Sequence, residues 1–390
     1  MEGYYLKRKV IVIGAGIIGT SVAYYLSKKN VEVVLIDAKD IAAGSSGACD
    51  KAIMLQSKKI GPALDLAIQS AMLYKELERE LQQDLEYRQG GGMILIDNEQ
   101  DLNVLQEMVE KQNSIGLNVE ILTGDEVRKK NPYLSKKIIA ASWCDEDAEI
   151  NPMHMAFAFA KAAYKNNAIL QLNCEVLDLV IVNDKIIGVQ TTHGKIHADT
   201  VVICSGAWTK NILSRIQLDV PIIPRKGIVL VTEKLPKIID CNMLSGSYIL
   251  SKLQKERTPI PYGIGLAISQ TKSGTLLIGG SREFVGFDQS IKTEIIREIA
   301  KQAIRAFPCL ENAHLIRSFA GFRPYTPDNM PILGEIPFVE GLYIAAGHEG
   351  DGVALAPVTG KLMAELITNQ QVEVDLSPFS FARFSENTLS

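Results

Sequence analysis

Residues 10–37 read VIVIGAGIIGTSVAYYLSKKNVEVVLID: an apolar β-branched stretch, a glycine turn, an amphipathic stretch, a second apolar stretch and a closing acid. The β-branched content of 10–13 predicts a buried parallel strand. Gly14, Gly16 and Gly19 then give G-x-G-x-x-G at the strand-to-helix junction. The first glycine permits the tight turn, the second lets backbone approach a pyrophosphate, and the third packs helix against strand. The helix N-terminus faces the phosphates. Asp37 closes the second strand, at the distance past Gly19 where a carboxylate accepts hydrogen bonds from a ribose hydroxyl. The stretch therefore predicts a dinucleotide site, and leaves open which dinucleotide.

A chain of 390 residues is too long for one ordinary core, so two domains are expected. Hydrophobic content of 47% with 22% charged residues describes a water-soluble globular chain, and a net charge of −4 argues against a nucleic-acid binder. No apolar run reaches the ~20 residues of a membrane span. The opening MEGYYLKRKV runs straight into the first strand and leaves no room for a signal peptide. Six cysteines (49, 144, 174, 204, 241 and 309) are scattered without a C-x-x-C pair, which argues against a zinc ribbon or a cluster built from this chain alone. Reduced thiols in a cytoplasmic protein are expected.

Helical periodicity is predicted over 62–83 and 99–115, with Thr123 and Glu126 placed as a capping box for a helix ending at 130 and Asn151 as the N-cap of a helix over 153–165. Strands are predicted at 93–96, 118–121, 168–172, 175–182, 185–191, 195–198 and 200–204. Others are predicted at 228–231, 264–269 and 276–280, where turns such as 272–274 suggest an antiparallel sheet. A helix at 292–307, a strand at 341–346 and a helix at 353–368 complete the pattern. The αβ elements recur after an interruption, so the expected fold is α/β plus α+β. A discontinuous Rossmann-like nucleotide domain (1–85, 146–217 and 318–390) receives an antiparallel-sheet substrate domain (86–145 and 218–317).

Only one fingerprint qualifies, because Gly263-Ile264-Gly265 lacks the third glycine and sits among hairpins. The run GSSGA at 44–48 suits a second contact with a long diphosphate. GHEGDG at 347–352 precedes a helix whose N-terminus would stabilise negative charge on a reduced flavin ring. Contacts from three separate places favour FAD over NAD, although Asp37, where flavoproteins more often carry glutamate, keeps an NAD-dependent dehydrogenase as an alternative.

These stations, together with SSGACD (45–50), LQSKK (55–59), GGSREFVGF (279–287) and AGFRPYTPD (320–328), resemble the D-amino acid oxidase superfamily of FAD-dependent oxidoreductases, which includes glycine and sarcosine oxidases. The resemblance spans nearly the whole chain and is nearest to the flavin subunits of opine oxidases, hydrogen cyanide synthase and proline or hydroxyproline dehydrogenases. It implies FAD-dependent oxidation of an amino acid or secondary amino acid, with a hydride leaving Cα and an imine as product. Noncovalent FAD is implied, since no histidine or cysteine matches a known attachment point. Partner subunits carrying iron–sulfur or further flavin centres are implied too, so an electron-relay subunit is a second alternative.

The same resemblance places cofactor contacts at Gly14, Gly16, Ile17, Ile18, Gly19, Asp37, Ala38, Ser45, Ser46, Cys49, Lys51, Ala52, Val176, Ser205, Gly206, Trp208, Gly321, Gly347, Glu349, Gly350 and Gly352. Arg323 matches an arginine that grips the substrate carboxylate; a planar guanidinium suits that task. The competing reading is an Arg323–Asp328 ion pair holding a loop. His348 is a candidate beside the flavin, or a histidine satisfied within its turn. Tyr262 is a candidate for closing the substrate pocket, or an ordinary tyrosine. Arg282 and Glu283 are expected to pair with each other. The chain departs from glycine oxidases at Gly350, where they carry a second arginine, and from the nearer subgroup at Lys51, which faces either the flavin edge or solvent.

Overall fold

The computed structural model describes residues 7–253 and 261–387. Residues 1–6, 254–260 and 388–390, which belong to the segments expected to open, fill and close the two domains, lie outside the described residues. The opening stretch forms strand β1 (Lys9–Ile13), helix α1 (Ile17–Ser27) and strand β2 (Glu32–Ile36). β1 sits inside a six-stranded sheet, with β2 on one side and Thr200–Ile203 on the other, both parallel to it; Ile169–Gln171 and Leu342–Ala346 extend the sheet in parallel. Ile332–Glu335 closes it as an antiparallel edge.

Alternation along β1 and β2 explains why both are apolar throughout. Val10, Val12, Val33 and Leu35 pack into one cluster with α1 and the helices Pro62–Leu81, Pro152–Lys165 and Gly352–Ile367. Ile11, Ile13, Val34 and Ile36 face a second cluster with Val176, Leu179 and Val189 of a three-stranded sheet. A strand covered on both faces has no polar side to show.

The last helix packs closely on α1. A Cβ at Gly360 would lie 2.2 Å from Ser21 Oγ, and that hydroxyl donates to the Ala356 carbonyl at 2.7 Å. Pro357 interrupts the helix's hydrogen-bond ladder, because it has no N–H for the carbonyl of Val353. The buried Tyr74 hydroxyl donates to that carbonyl instead.

The second sheet has eight strands in the order Leu315–Tyr325, Ile223–Lys234, Thr275–Gly279, Ala267–Gln270, Asn242–Ser245, Gly92–Ile96, Ala140–Cys144 and Glu120–Thr123. It is antiparallel except where Asn242–Ser245 runs parallel to Gly92–Ile96. The sheet is thus mixed, and its parallel joint is where the earlier and later pieces of chain meet. The strand Leu315–Tyr325 runs through the expected boundary at residue 318. Its Pro324 is tolerated because the strand is at the sheet's edge, paired only with Ile223–Lys234. Both predicted caps form: Thr123 and Glu126 exchange hydrogen bonds, and Asn151 Oδ1 accepts from the N–H groups of Met153 and His154 at 3.2 Å.

Gly19 has no room for a side chain, since a Cβ there would stand 1.8 Å from the Gly14 carbonyl oxygen. Gly19→Ala is expected to lower unfolding free energy by about 1–3 kcal/mol, the range for overpacking. Urea denaturation checks it; an unchanged midpoint would show that helix and turn separate without cost.

Candidate active site

A cavity of about 380 Å³ runs from the glycine turn after β1 to the inner face of the eight-stranded sheet. At one end Gly14 takes φ +108°, and its N–H donates to the Ile36 carbonyl at 2.7 Å. The Asp37 carboxylate accepts from the N–H of Ala15 at 2.7 Å and of Lys39 at 2.8 Å. It ties the glycine turn to the end of β2 while also lining the cavity. Gly16, Ile17, Ile18, Ala38 and Val176 line the same end.

Ser45 and Ser46 lie in a 3-10 turn beside the start of α1. The Ile17 N–H donates to Ser46 Oγ at 2.9 Å. Ser45 Oγ donates to the Phe322 carbonyl, and a Cβ on Gly321 would be 2.4 Å from the Ala48 carbonyl oxygen. The turn is therefore fastened to the strand that carries Arg323. Ser205, Gly206 and Trp208 also line the cavity, and the Trp208 ring packs edge-on to Phe322, their centroids 6.3 Å apart. Gly206 has φ +54° and nothing within 4 Å of where its Cβ would be, so the backbone there borders open space.

At the other end the Arg323 guanidinium is restrained from several sides. Its Nη1 donates to the Ser281 carbonyl at 3.0 Å, and its Nε lies 3.9 Å from Glu349 Oε1. Gly227 makes room for it, because a Cβ there would be 2.2 Å from Nη1. The Glu349 carboxylate also pairs with the buried Arg225 guanidinium, which lies over the Tyr325 ring at 4.7 Å. Burial, then the nearby Arg323 and Arg282 charges, pulls the Arg225 pKa down to about 9, so it stays cationic at neutral pH. Burial likewise pushes the Cys49 thiol up, which keeps it a protonated thiol.

Several expectations are corrected. Asp328 pairs with Arg383 at 2.7 Å rather than with Arg323. Arg282 lies over the Tyr248 ring at 3.6 Å while Glu283 faces the buried Lys226 at 3.5 Å, so the two neighbours do not pair with each other. Lys51 faces neither solvent nor the cavity: its Nζ is 3.2 Å from Glu149 and donates to the Gln270 carbonyl at 3.1 Å. Ala52 pairs opposite Glu149 in a short two-stranded ladder and does not line the cavity either. Tyr262 sits in an exposed turn with φ 55°, its hydroxyl donating to Glu294 at 2.6 Å, outside the cavity wall. Gly19 and Gly347 support turns from behind the wall; a Cβ on Gly347 would be 2.7 Å from Thr326 Cγ2. Cys49, Gly321, His348, Glu349, Gly350 and Gly352 do line it.

Arg225, Gly227 and Ser281 were missed by the sequence reading. The signal for Arg225 and Gly227 was present in PRKG at 224–227, a basic pair inside a strand pattern, and Ser281 lies within GGSREFVGF at 279–287.

A family model described as DAO, FAD dependent oxidoreductase, matches residues 9–366. The chain belongs to this family of FAD-dependent oxidoreductases. It is 28% identical to the hydrogen cyanide synthase subunit HcnC of Pseudomonas aeruginosa and 28% identical to glycine oxidase of Geobacillus kaustophilus, with 96% of each chain covered in both comparisons. Among solved structures it is similar to L-proline dehydrogenase from P. horikoshii, with TM-score 0.88, 28% identity, and 98% of this chain and 99% of the other covered. It is also similar to glycine oxidase from Bacillus cereus, with TM-score 0.85 and 28% identity over 96% and 98%. The cofactor is therefore FAD. The cavity fits it in three observable respects: backbone glycines border it, the start of α1 opens onto it, and it continues past the diphosphate-type turns to a guanidinium.

His348 is buried, and its Nε2 lies 3.1 Å from Thr359 Oγ1. Burial holds its pKa down at about 3, against 6.5 when exposed, so the ring is neutral at physiological pH. The unfolded chain binds a proton here between pH 6.5 and 3 that the folded chain refuses, so stability falls as pH falls through that window. His348→Gln is expected to flatten that part of the acid limb of unfolding free energy against pH. A slope identical to the wild type would show that His348 takes up its proton in the folded state.

Proposed function

We propose that the protein oxidises an amino acid or secondary amino acid, of the proline, hydroxyproline, opine, glycine or sarcosine type, by removing the Cα hydride and leaving an imine. The observation that carries this reading is the restrained Arg323 guanidinium on the cavity wall. Such a group takes a carboxylate through parallel charge-assisted hydrogen bonds and fixes the rest of the substrate relative to it. FAD, when bound, supplies the hydride acceptor.

The residues round the cavity suit a reaction that needs no strong side-chain base. His348 is neutral and engaged with Thr359, and the Cys49 thiol is protonated. A substrate amine in its neutral form drives out the hydride with its own lone pair, so the protein's part is positioning and charge. Noncovalent retention of FAD fits these residues. The free state of all six cysteines supports a reducing, cytoplasmic setting. The relative HcnC is by name a subunit, which supports a partner subunit for this chain. Among the described residues no helix is long and apolar enough to cross a membrane.

Arg323→Ala is expected to retain FAD but to lose roughly 2–5 kcal/mol of recognition for a carboxylate substrate. Anaerobic bleaching of the flavin by proline, hydroxyproline, glycine, sarcosine and opines measures this. Unchanged bleaching in the variant removes the carboxylate assignment, and a wild type bleached by none of them favours the relay subunit. Acid precipitation is expected to leave the yellow colour in the supernatant; a yellow pellet would mean covalent attachment.

A further inference from the structure

Lys226 is 1% exposed, and nothing at the cavity uses its charge. Burying an ammonium is unfavourable unless it is paired and hydrogen-bonded. The partners of this one belong to a single loop. Its Nζ lies 3.5 Å from Glu283 Oε1 and 4.0 Å from Asp288 Oδ2, and donates to the Ser290 carbonyl at 2.9 Å. The backbones of Lys226 and Glu283 also exchange hydrogen bonds, at 2.9 and 3.0 Å. One buried lysine thus fastens both the start and the end of the loop. Near its end the Asp288 carboxylate accepts from the N–H and the hydroxyl of Ser290, at 2.8 and 2.7 Å.

The side chain fixed by this fastening is Phe287. Its ring stacks on Trp208, with centroids 5.2 Å apart and planes inclined by 18°, and meets Phe322 edge-on at 5.3 Å. Trp208 and Phe322 line the cavity; Phe287 does not, and supports them from behind. Trp208 also reaches the GSSGA turn, since a Cβ on Gly44 would be 3.1 Å from its Cζ3. With 36% of its surface exposed, Trp208 is not fixed by core packing, so its orientation depends on the two phenylalanine rings. We infer that Phe287 is a positioning residue for the cofactor: it holds the Trp208 ring against the cavity and so slows the release of FAD. The inference rests on FAD filling this cavity and is independent of the reading of Arg323. A stacked aromatic pair contributes more than the area it buries, and contacts of this kind act mainly on the dissociation rate.

The test dilutes FAD-loaded protein and measures the flavin that appears with time in an ultrafiltrate. Phe287→Ala is expected to release FAD about tenfold faster than wild type. Phe287→Tyr keeps the ring and is expected to stay within about twofold of the wild-type rate. Trp208→Ala is expected to release FAD faster as well. Because Phe287 acts through Trp208, the double variant is expected to release FAD no faster than Trp208→Ala alone. A ring with a merely structural role would instead add its own effect to that of Trp208→Ala.

A wild-type release rate in Phe287→Ala overturns the inference, and so does a double variant whose acceleration is the product of the two single ones. Phe287→Tyr as fast as Phe287→Ala overturns it too, because the stacked ring would then not be the cause. If Phe287→Ala does not fold, Phe287→Leu, which keeps apolar bulk and loses the flat ring, is judged by the same outcomes.

Discussion

The whole site depends on one close approach of backbone to backbone. Gly321, on the edge strand of the eight-stranded sheet, presses against Ala48 so closely that a Cβ would be 2.4 Å from the Ala48 carbonyl oxygen. Ser45 adds a hydrogen bond to the next carbonyl, that of Phe322. Side chains two apart on a strand share a face, so the residue that fits the contact and the residue that bears the guanidinium point the same way. The same turn is joined to the nucleotide end through Ser46 and the first N–H of α1. One short turn therefore registers Arg323 against the glycine fingerprint, although the two lie towards opposite ends of the sequence.

Charge at the wall follows from the register. Arg225 opposes Arg323 and Gly227 opposes Gly321, so the facing strand supplies both a second cation and the empty space into which the first extends. Burying Arg225 is tolerable because the Glu349 carboxylate meets it and the Tyr325 ring lies beneath it. His348, next to Glu349 in the chain, is kept neutral by burial. The imidazole beside the Arg225, Glu349 and Arg323 group is thus withheld from acid–base chemistry at neutral pH.

Much of the fold was legible because the signals are local. The alternation of 10–13 and 33–36, the caps at Thr123 and Asn151, and the helix after Gly352 each rest on residues a few positions apart. The strand Leu315–Tyr325 was not legible: Arg317, Ser318, Arg323 and Pro324 break its apolar pattern, and only pairing with Ile223–Lys234 makes it a strand. Asn242–Ser245 is short and depends on parallel pairing with Gly92–Ile96, a strand from far earlier in the chain. The errors among side chains have a common origin. Asp328 lies near Arg323 in sequence yet chose Arg383, Arg282 and Glu283 are adjacent yet turned to Tyr248 and Lys226, and Lys51 reached Glu149 and the Gln270 carbonyl. Successive residues on an extended chain point to opposite faces, so nearness in sequence does not select a partner.

What the sequence determined by itself is the glycine turn and its acid. Gly14 needs its left-handed φ, Gly19 has no room for a Cβ, and Asp37 bonds the turn it follows. All three requirements are contained between Val10 and Asp37 and concern sterics and backbone hydrogen bonds. The tertiary structure alone decided which cations share Glu349, that Gly227 opens space for Arg323, and that Lys51 and Tyr262 stay off the cavity wall. The reason is physical: a buried charge is stable only beside a partner, and the partner is whichever group the register of distant strands delivers.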